Sequence, residues 1–279
     1  MLHESTACPG GLQAAIDALP RDGAPAVLHL AEGVYREKIL LDRPHTALVG
    51  AGADRTRIVW DDGARTILSD GLKRGTFRTA TLRTDGEDIA LRRLAVENAA
   101  APVEEAGQAI ALYADGDGFL CEDCWLIGAQ DTLFTAPLPE KEFEPGGFRG
   151  PKEHAPRLRQ RHTYRRCRIV GCVDFIFGGA AALFEDCAVI VRDGHAAPDP
   201  ARRFWAAAPS TPKDQPEGYV FRRCAFTGEG IPAGSAFIAR PWRDGAKLTL
   251  TDCTLDESFD PGLFDTWGER TGEFGILDP

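Results

Sequence analysis

The chain has no run of about 18 consecutive apolar residues and no surplus of Lys and Arg. The first absence means that no transmembrane helix is expected. The second, with a net charge of −10, predicts neither a nucleic-acid-binding surface nor attraction to an anionic membrane. The opening residues, MLHESTACPGG, lack a basic stretch followed by an apolar one, so no secretory signal is expected. Nor is the composition unbalanced. With 43% hydrophobic and 27% charged residues over 279 positions, disorder, collagen and coiled coil are excluded, and a sizeable core can be buried. What is plentiful is turn chemistry, with 30 Gly and 19 Pro.

The eight cysteines, at 8, 121, 124, 167, 172, 187, 224 and 253, suggest a metal or disulfides at first. Cys121-x-x-Cys124 is half a zinc motif, but no second half follows. A disulfide framework would suit a secreted protein, for which no signal is seen. Internal repetition offers a better account. Cys124, Cys167, Cys187, Cys224 and Cys253 each follow an apolar residue and two polar ones, and each precedes one variable and one apolar residue. Leu91-Arg-Arg-Leu94-Ala-Val96 is an earlier copy with Leu for Cys. The polar pair reads as a tight turn and the tail alternates like a short strand. Intervals between copies are 30, 43, 20, 37 and 29 residues, as a basic coil of roughly 20–25 residues with loop insertions would give. The reading is an all-β fold, a right-handed parallel β-helix, with those five thiols stacked inside as small hydrophobes. Leu12, Ala15, Ile16 and Leu19 share one helical face before Pro20, which predicts a short N-terminal helix capping the first coil. One domain is expected over 1–279, with 136–161 as a long loop.

Asp131 lies seven residues after Cys124, and Asp174 seven after Cys167. Equivalent positions on successive coils sit about 4.8 Å apart. Two carboxylates at that spacing repel, so one tends to hold a proton, leaving an acid beside a base or nucleophile. Solvated turn aspartates are the bland alternative. The apolar flanks Gly128-Ala-Gln-Asp131-Thr-Leu-Phe134 and Val173-Asp174-Phe-Ile-Phe177 argue against it.

These residues, with three further blocks, carry a resemblance. Gly33-Val-Tyr35-Arg-Glu37, Gly107-Gln108-Ala-Ile-Ala-Leu112, Gln130-Asp131-Thr-Leu-Phe134, Val173-Asp174-Phe-Ile-Phe-Gly178 and Ala239-Arg240-Pro-Trp242 occur in the order found in pectinesterases, which the chain resembles over about 230 residues. Cys172 and Ala239 depart from the family pattern. The resemblance implies removal of methyl esters from galacturonate units of pectin or oligogalacturonides, releasing methanol. It implies Asp174 as nucleophile, Asp131 as acid and then base, and Gln130 and Gln108 as oxyanion donors. Arg240 would hold Asp174 ionised, while Trp242 and Phe177 would face sugar rings. On residues alone, Gln108 could be an interior hydrogen-bonding group, Arg240 a surface ion-pair residue and Phe177 core. Tyr35 and Glu37 are assigned to structure.

No metal or cofactor is expected, and methylated pectin or an oligogalacturonide is the expected partner of a monomer. A β-helix glycoside hydrolase or lyase is the first rival, because paired carboxylates also cleave glycosides. No third acidic residue groups with the pair in sequence, however. A non-catalytic carbohydrate-binding solenoid is the second rival, though it would need neither aspartate. Lys141, Arg149, Lys152, Arg157, Arg159 and Arg161 in the long loop either greet substrate carboxylates or are simply solvated. Unpaired thiols and the absent signal predict a cytoplasmic location.

Overall fold

A computed structural model describes residues 2–277. Three sheets of ten, eight and seven strands run the length of the chain, and every pairing between their strands is parallel. The chain visits them in rotation. Phe119–Glu122 lies in the ten-stranded sheet, Trp125–Ile127 in the eight-stranded sheet and Leu133–Thr135 in the seven-stranded sheet, and the next coil restarts at Arg161–Arg165. The fold is a right-handed parallel β-helix, as the repeat predicts.

The repeat sets its interior. Cys121, Tyr164, Phe184, Phe221 and Leu250 fall in register on neighbouring strands, and Tyr164, Phe184 and Phe221 stack with ring centres 4.7 and 4.5 Å apart. Leu126, Ile169, Val189 and Phe226 form a second buried row. The ladder thiols lie at the corner between the two rows, and all eight cysteines are free. Cys124, Cys167, Cys187 and Cys224 are buried. Cys253 is only half-buried, because the strand after it, Thr254–Leu255, is the edge of the eight-stranded sheet among the described residues.

The polar pair is indeed the turn. Its second residue adopts the left-handed conformation in all six copies, at Arg93, Asp123, Arg166, Asp186, Arg223 and Asp252, with φ between 49° and 54°. The charge alternates from coil to coil. Arg166 grips Asp123 and Glu122, and Arg223 grips Asp186 and Glu185, at 2.8–3.1 Å. The corner is thus a staircase of opposite charges.

The N-terminal helix spans Leu12–Asp17, with Leu12 and Ile16 fully buried. Six residues are too few to hold a helix alone. Glu37 accepts hydrogen bonds from the backbone N–H groups of Gly10, Leu12 and Gln13, so it caps the helix start. Gln13 donates to the Leu40 carbonyl and accepts from the Leu40 N–H, closing the edge of the seven-stranded sheet as a strand would. Tyr35 is fully buried with its hydroxyl near the carbonyls of Ala7 and Ala31. Both residues of that early block are therefore structural. The helix does not precede the first strand, however. His3–Ala7 comes before it and forms the edge of the ten-stranded sheet.

Candidate active site

Three successive coils approach the seven-stranded sheet with polar residues at matched positions. The Gln130 carbonyl accepts from Ala109 N–H, and the Val173 carbonyl accepts from Asp131 N–H. Gln130 pairs with Val173, which puts Asp131 and Asp174 side by side on neighbouring coils, about one strand spacing apart. Both have left-handed backbone, φ 64° and 48°, and both are buried, at 8% and 5% exposure. Aspartate tolerates this conformation better than most residues, yet it is still strained.

Arg240 reaches Asp174 from two coils further on, just after the strand Ala236–Ala239. Its Nε donates to Asp174 Oδ1 at 2.8 Å and its Nη2 to Oδ2 at 2.6 Å. The intervening strand, Phe204–Pro209, presents the small side chain of Ala208 to the cleft, beside the path of Arg240. The guanidinium lies between two indoles, 3.8 Å from the ring centre of Trp205 and 4.0 Å from that of Trp267.

The aspartates differ electrostatically. Burial pushes Asp131 well above the ordinary carboxylate range, Asp174 pushes it further, and Arg240 opposes only weakly. Burial also raises Asp174, but there the two bonds and the charge of Arg240 pull back. A proton shared by the pair therefore resides on Asp131.

A cleft of about 370 Å³ opens on both acids. Gln108, Gln130, Asp131, Asp174, Phe177, Arg240 and Trp242 all line it, so every site residue expected from the sequence converges here. Among the described residues neither glutamine amide is bonded to another protein group, which removes the interior reading of Gln108. Phe177 is nearly core at 3% exposure, packed on Phe134 at 4.9 Å and edge-on to Trp242 at 5.6 Å. It is a floor beneath Trp242 more than a face of its own.

Several wall residues escaped the sequence reading. Phe77 comes from a single 3-10 turn, Thr76–Arg78, far upstream, and Trp267 from near the C-terminus. Phe143, Glu144 and Phe148 come from the long loop, and Glu144 is a third carboxylate in the cleft. Arg243 lies 3.6 Å over the Phe143 ring and 4.6 Å from Trp242, and burial beside Arg270 pulls it down to about 10. Sequence flagged the loop by its length but not the chemistry it contributes. Its cations are mostly spent elsewhere. Lys152 sits between Asp85 and Asp115, Arg157 bonds four backbone carbonyls, Arg159 pairs with Asp214 and Arg161 with Asp117. None of the six basic loop residues lines the cleft.

A family model for pectinesterase matches residues 5–139 and 154–276. The chain belongs to the pectinesterase family. Among curated relatives it is 29% identical over 272 residues to the probable pectinesterase/pectinesterase inhibitor 23 of Arabidopsis thaliana, covering 94% of this chain and 41% of that protein. It thus spans about two fifths of that relative's length. Among solved structures it is similar to carrot pectin methylesterase, with TM-score 0.77, 21% identity, and coverage of 96% of this chain and 77% of that one. It is also similar to a pectin methylesterase in complex with a hexasaccharide, with TM-score 0.75, 24% identity, and coverage of 95% and 87%. The stretch between the two matched segments, 140–153, contains the cleft-wall residues Phe143, Glu144 and Phe148. The cytoplasmic expectation is overturned. Membership of the pectinesterase family and the similarity to plant pectinesterases point away from the cytoplasm. Unpaired thiols do not require a reducing compartment when they are buried out of an oxidant's reach.

Proposed function

We propose that the chain is a carboxylic ester hydrolase that removes methyl esters from galacturonate units of pectin or its oligomers. One observation carries this reading: a buried carboxylate gripped bidentately by arginine lies one strand from a second buried carboxylate, which burial pushes well above the ordinary carboxylate range. In this reading Asp174 attacks the ester carbonyl. The Gln108 and Gln130 amides donate to the oxyanion as it forms. Asp131 gives its proton to the departing methoxide, so methanol leaves and an acyl–Asp174 anhydride remains. Ionised Asp131 then takes a proton from water, which attacks the anhydride, releases the galacturonate carboxylate and regenerates Asp174. Trp242 supplies the apolar face for a sugar ring.

Glu144 gives the glycosidase rival a third acid, but it belongs to the loop wall, whereas the arginine fork suits a carboxylate kept ionised for attack. The test is methanol release measured beside new reducing ends on methylated pectin. Methanol without reducing ends is expected from the wild type. Folded Asp174→Asn should release none, since a covalent nucleophile has no substitute. Asp131→Asn should also lose turnover, yet an ester with a better leaving group should partly restore its first step. Substantial esterase activity in folded Asp174→Asn would refute the mechanism.

A further inference from the structure

The two aspartates are near-duplicates. Each follows a ladder thiol by seven residues, each has left-handed backbone and each is buried. The proposed reaction nevertheless requires them to be unequal. Arg240 makes them so, and the surroundings of Arg240 leave it one orientation. Trp205 belongs to the strand beside that of Asp174, where it pairs with Val173. Its indole N–H donates to Asp265 Oδ2 at 2.9 Å, and the Phe237 ring lies parallel to it with centres 6.3 Å apart. The backbone N–H of Asp265 donates in turn to the carbonyl of Ala239, the residue before Arg240. Trp267 follows two residues later. One short C-terminal segment therefore anchors the base of the arginine and the Trp205 ring, and supplies the second ring itself.

We propose that Trp205 and Trp267 are positioning residues, a clamp that commits Arg240 to Asp174 and withholds it from Asp131, and that this clamp divides the work between the two acids. The inference rests on the esterase reading of the site. A planar cation between two aromatic faces has only its edge free for hydrogen bonds. The Nε and Nη2 part of that edge is occupied by both oxygens of Asp174. Turning toward Asp131 would break both bonds to Asp174.

The charged groups around the pair come from every wall. Glu144 and Arg243 face the cleft, while Asp265 and Arg270 lie against the tryptophans. Cys172 is buried nearby and its thiol is pushed up to about 12, so it stays neutral. None of these replaces Arg240 on Asp174 among the described residues.

Trp205 does not line the cleft, so its replacement tests the clamp without removing a substrate contact. Trp205→Leu should lower kcat by about 10- to 100-fold while KM stays within about threefold. Its pH–rate profile should narrow from both sides. The acid limb should move up as Asp174 loses its constant partner, and the alkaline limb should move down as Arg240 visits Asp131. Trp205→Phe keeps an aromatic face and should restore both limbs. A merely structural residue would lower the melting temperature without moving either limb, so unmoved limbs in folded Trp205→Leu would overturn the proposal. A second readout is independent of turnover. The Arg240 Nε–H nuclear magnetic resonance signal should exchange slowly in the wild type and broaden in Trp205→Leu and Asp265→Ala. An unchanged signal would refute the clamp even if the esterase reading holds. A wild type that releases no methanol would refute the esterase reading while this signal still judges the clamp.

Discussion

At the scale of single residues, the site stores unfavourable energy in two places. Asp131 and Asp174 have left-handed backbones, and both are carboxylates raised by burial. Strain of this kind persists where the surrounding structure holds it, and it gathers at working sites. The sign of its pH dependence follows. A carboxylate raised in the folded state binds more protons there than in the unfolded chain, so stability falls as pH rises from 3.8 through its folded value. Asp131→Asn removes that cost and leaves no partner unpaired. It should raise the melting temperature at neutral pH while abolishing turnover, which calorimetry and a methanol assay on the same preparation would check. Asp174→Asn differs, because it strands the Arg240 guanidinium. Activity itself should be bell-shaped in pH. The acid limb reports ionisation of Asp174 and the alkaline limb loss of the Asp131 proton, with both belonging to the coupled pair.

At the scale of elements, the coil corner and the long loop decide most. Stacked thiols inside the corner behave as small apolar side chains, and their chemistry follows their burial. In native protein, exposed Cys8 should react with a thiol reagent at once and half-buried Cys253 slowly. The other six should react only after denaturation. A disulfide among the five ladder cysteines, seen by intact mass, would contradict the stack. Outside the same corner, Arg166→Glu would face Glu122 and Asp123 with like charge and should lower the melting temperature. Pairing it with Asp123→Arg should recover part of the loss, a double-mutant cycle that isolates the coupling. The long loop makes its contribution through aromatic contact. Phe143 projects at the rim beneath Arg243, so Phe143→Ala should raise KM more than it lowers kcat. Lys152→Ser should act chiefly on stability, because Lys152 lies between Asp85 and Asp115, away from the cleft.

At the scale of the whole molecule, stability comes from the continuous stack, and one buried base makes it sensitive to acid. His162 lies inside the ten-stranded sheet with Gln160 and Tyr164 near its ring nitrogens, and burial lowers it from 6.5 to about 4. The unfolded chain therefore takes up a proton between those values that the folded one refuses. Stability present above about pH 6.5 is lost as pH falls toward 4, by roughly 3 kcal/mol at most. His162→Phe should flatten this dependence if the ring fits beside Phe119, as melting curves between pH 7 and 4.5 would show.

The repeat was legible in sequence because a solenoid restates one local rule on every coil. An apolar residue, a polar pair, a small apolar residue and an alternating tail define strand, turn and strand without reference to distant chain. The offset of seven from ladder thiol to aspartate carried that regularity into the site, and with it the pairing of Asp131 and Asp174. The alternating charge of the polar pairs was equally present, but it acquires meaning only once neighbouring coils are stacked. Other features have no local signal at all. Trp205 and Trp267 are 62 positions apart, Phe77 lies far upstream, and Glu144 sits in a loop with no repeat to index it. Whether a loop cation faces substrate or an acidic neighbour depends on what lies across space, as Lys152 and Arg157 show. The sequence by itself determined the coil, its interior and the two acids. The resemblance already assigned Arg240 to Asp174, but only the tertiary structure shows what surrounds that arginine, because Trp205, Trp267 and Asp265 come from separate coils and meet around one guanidinium.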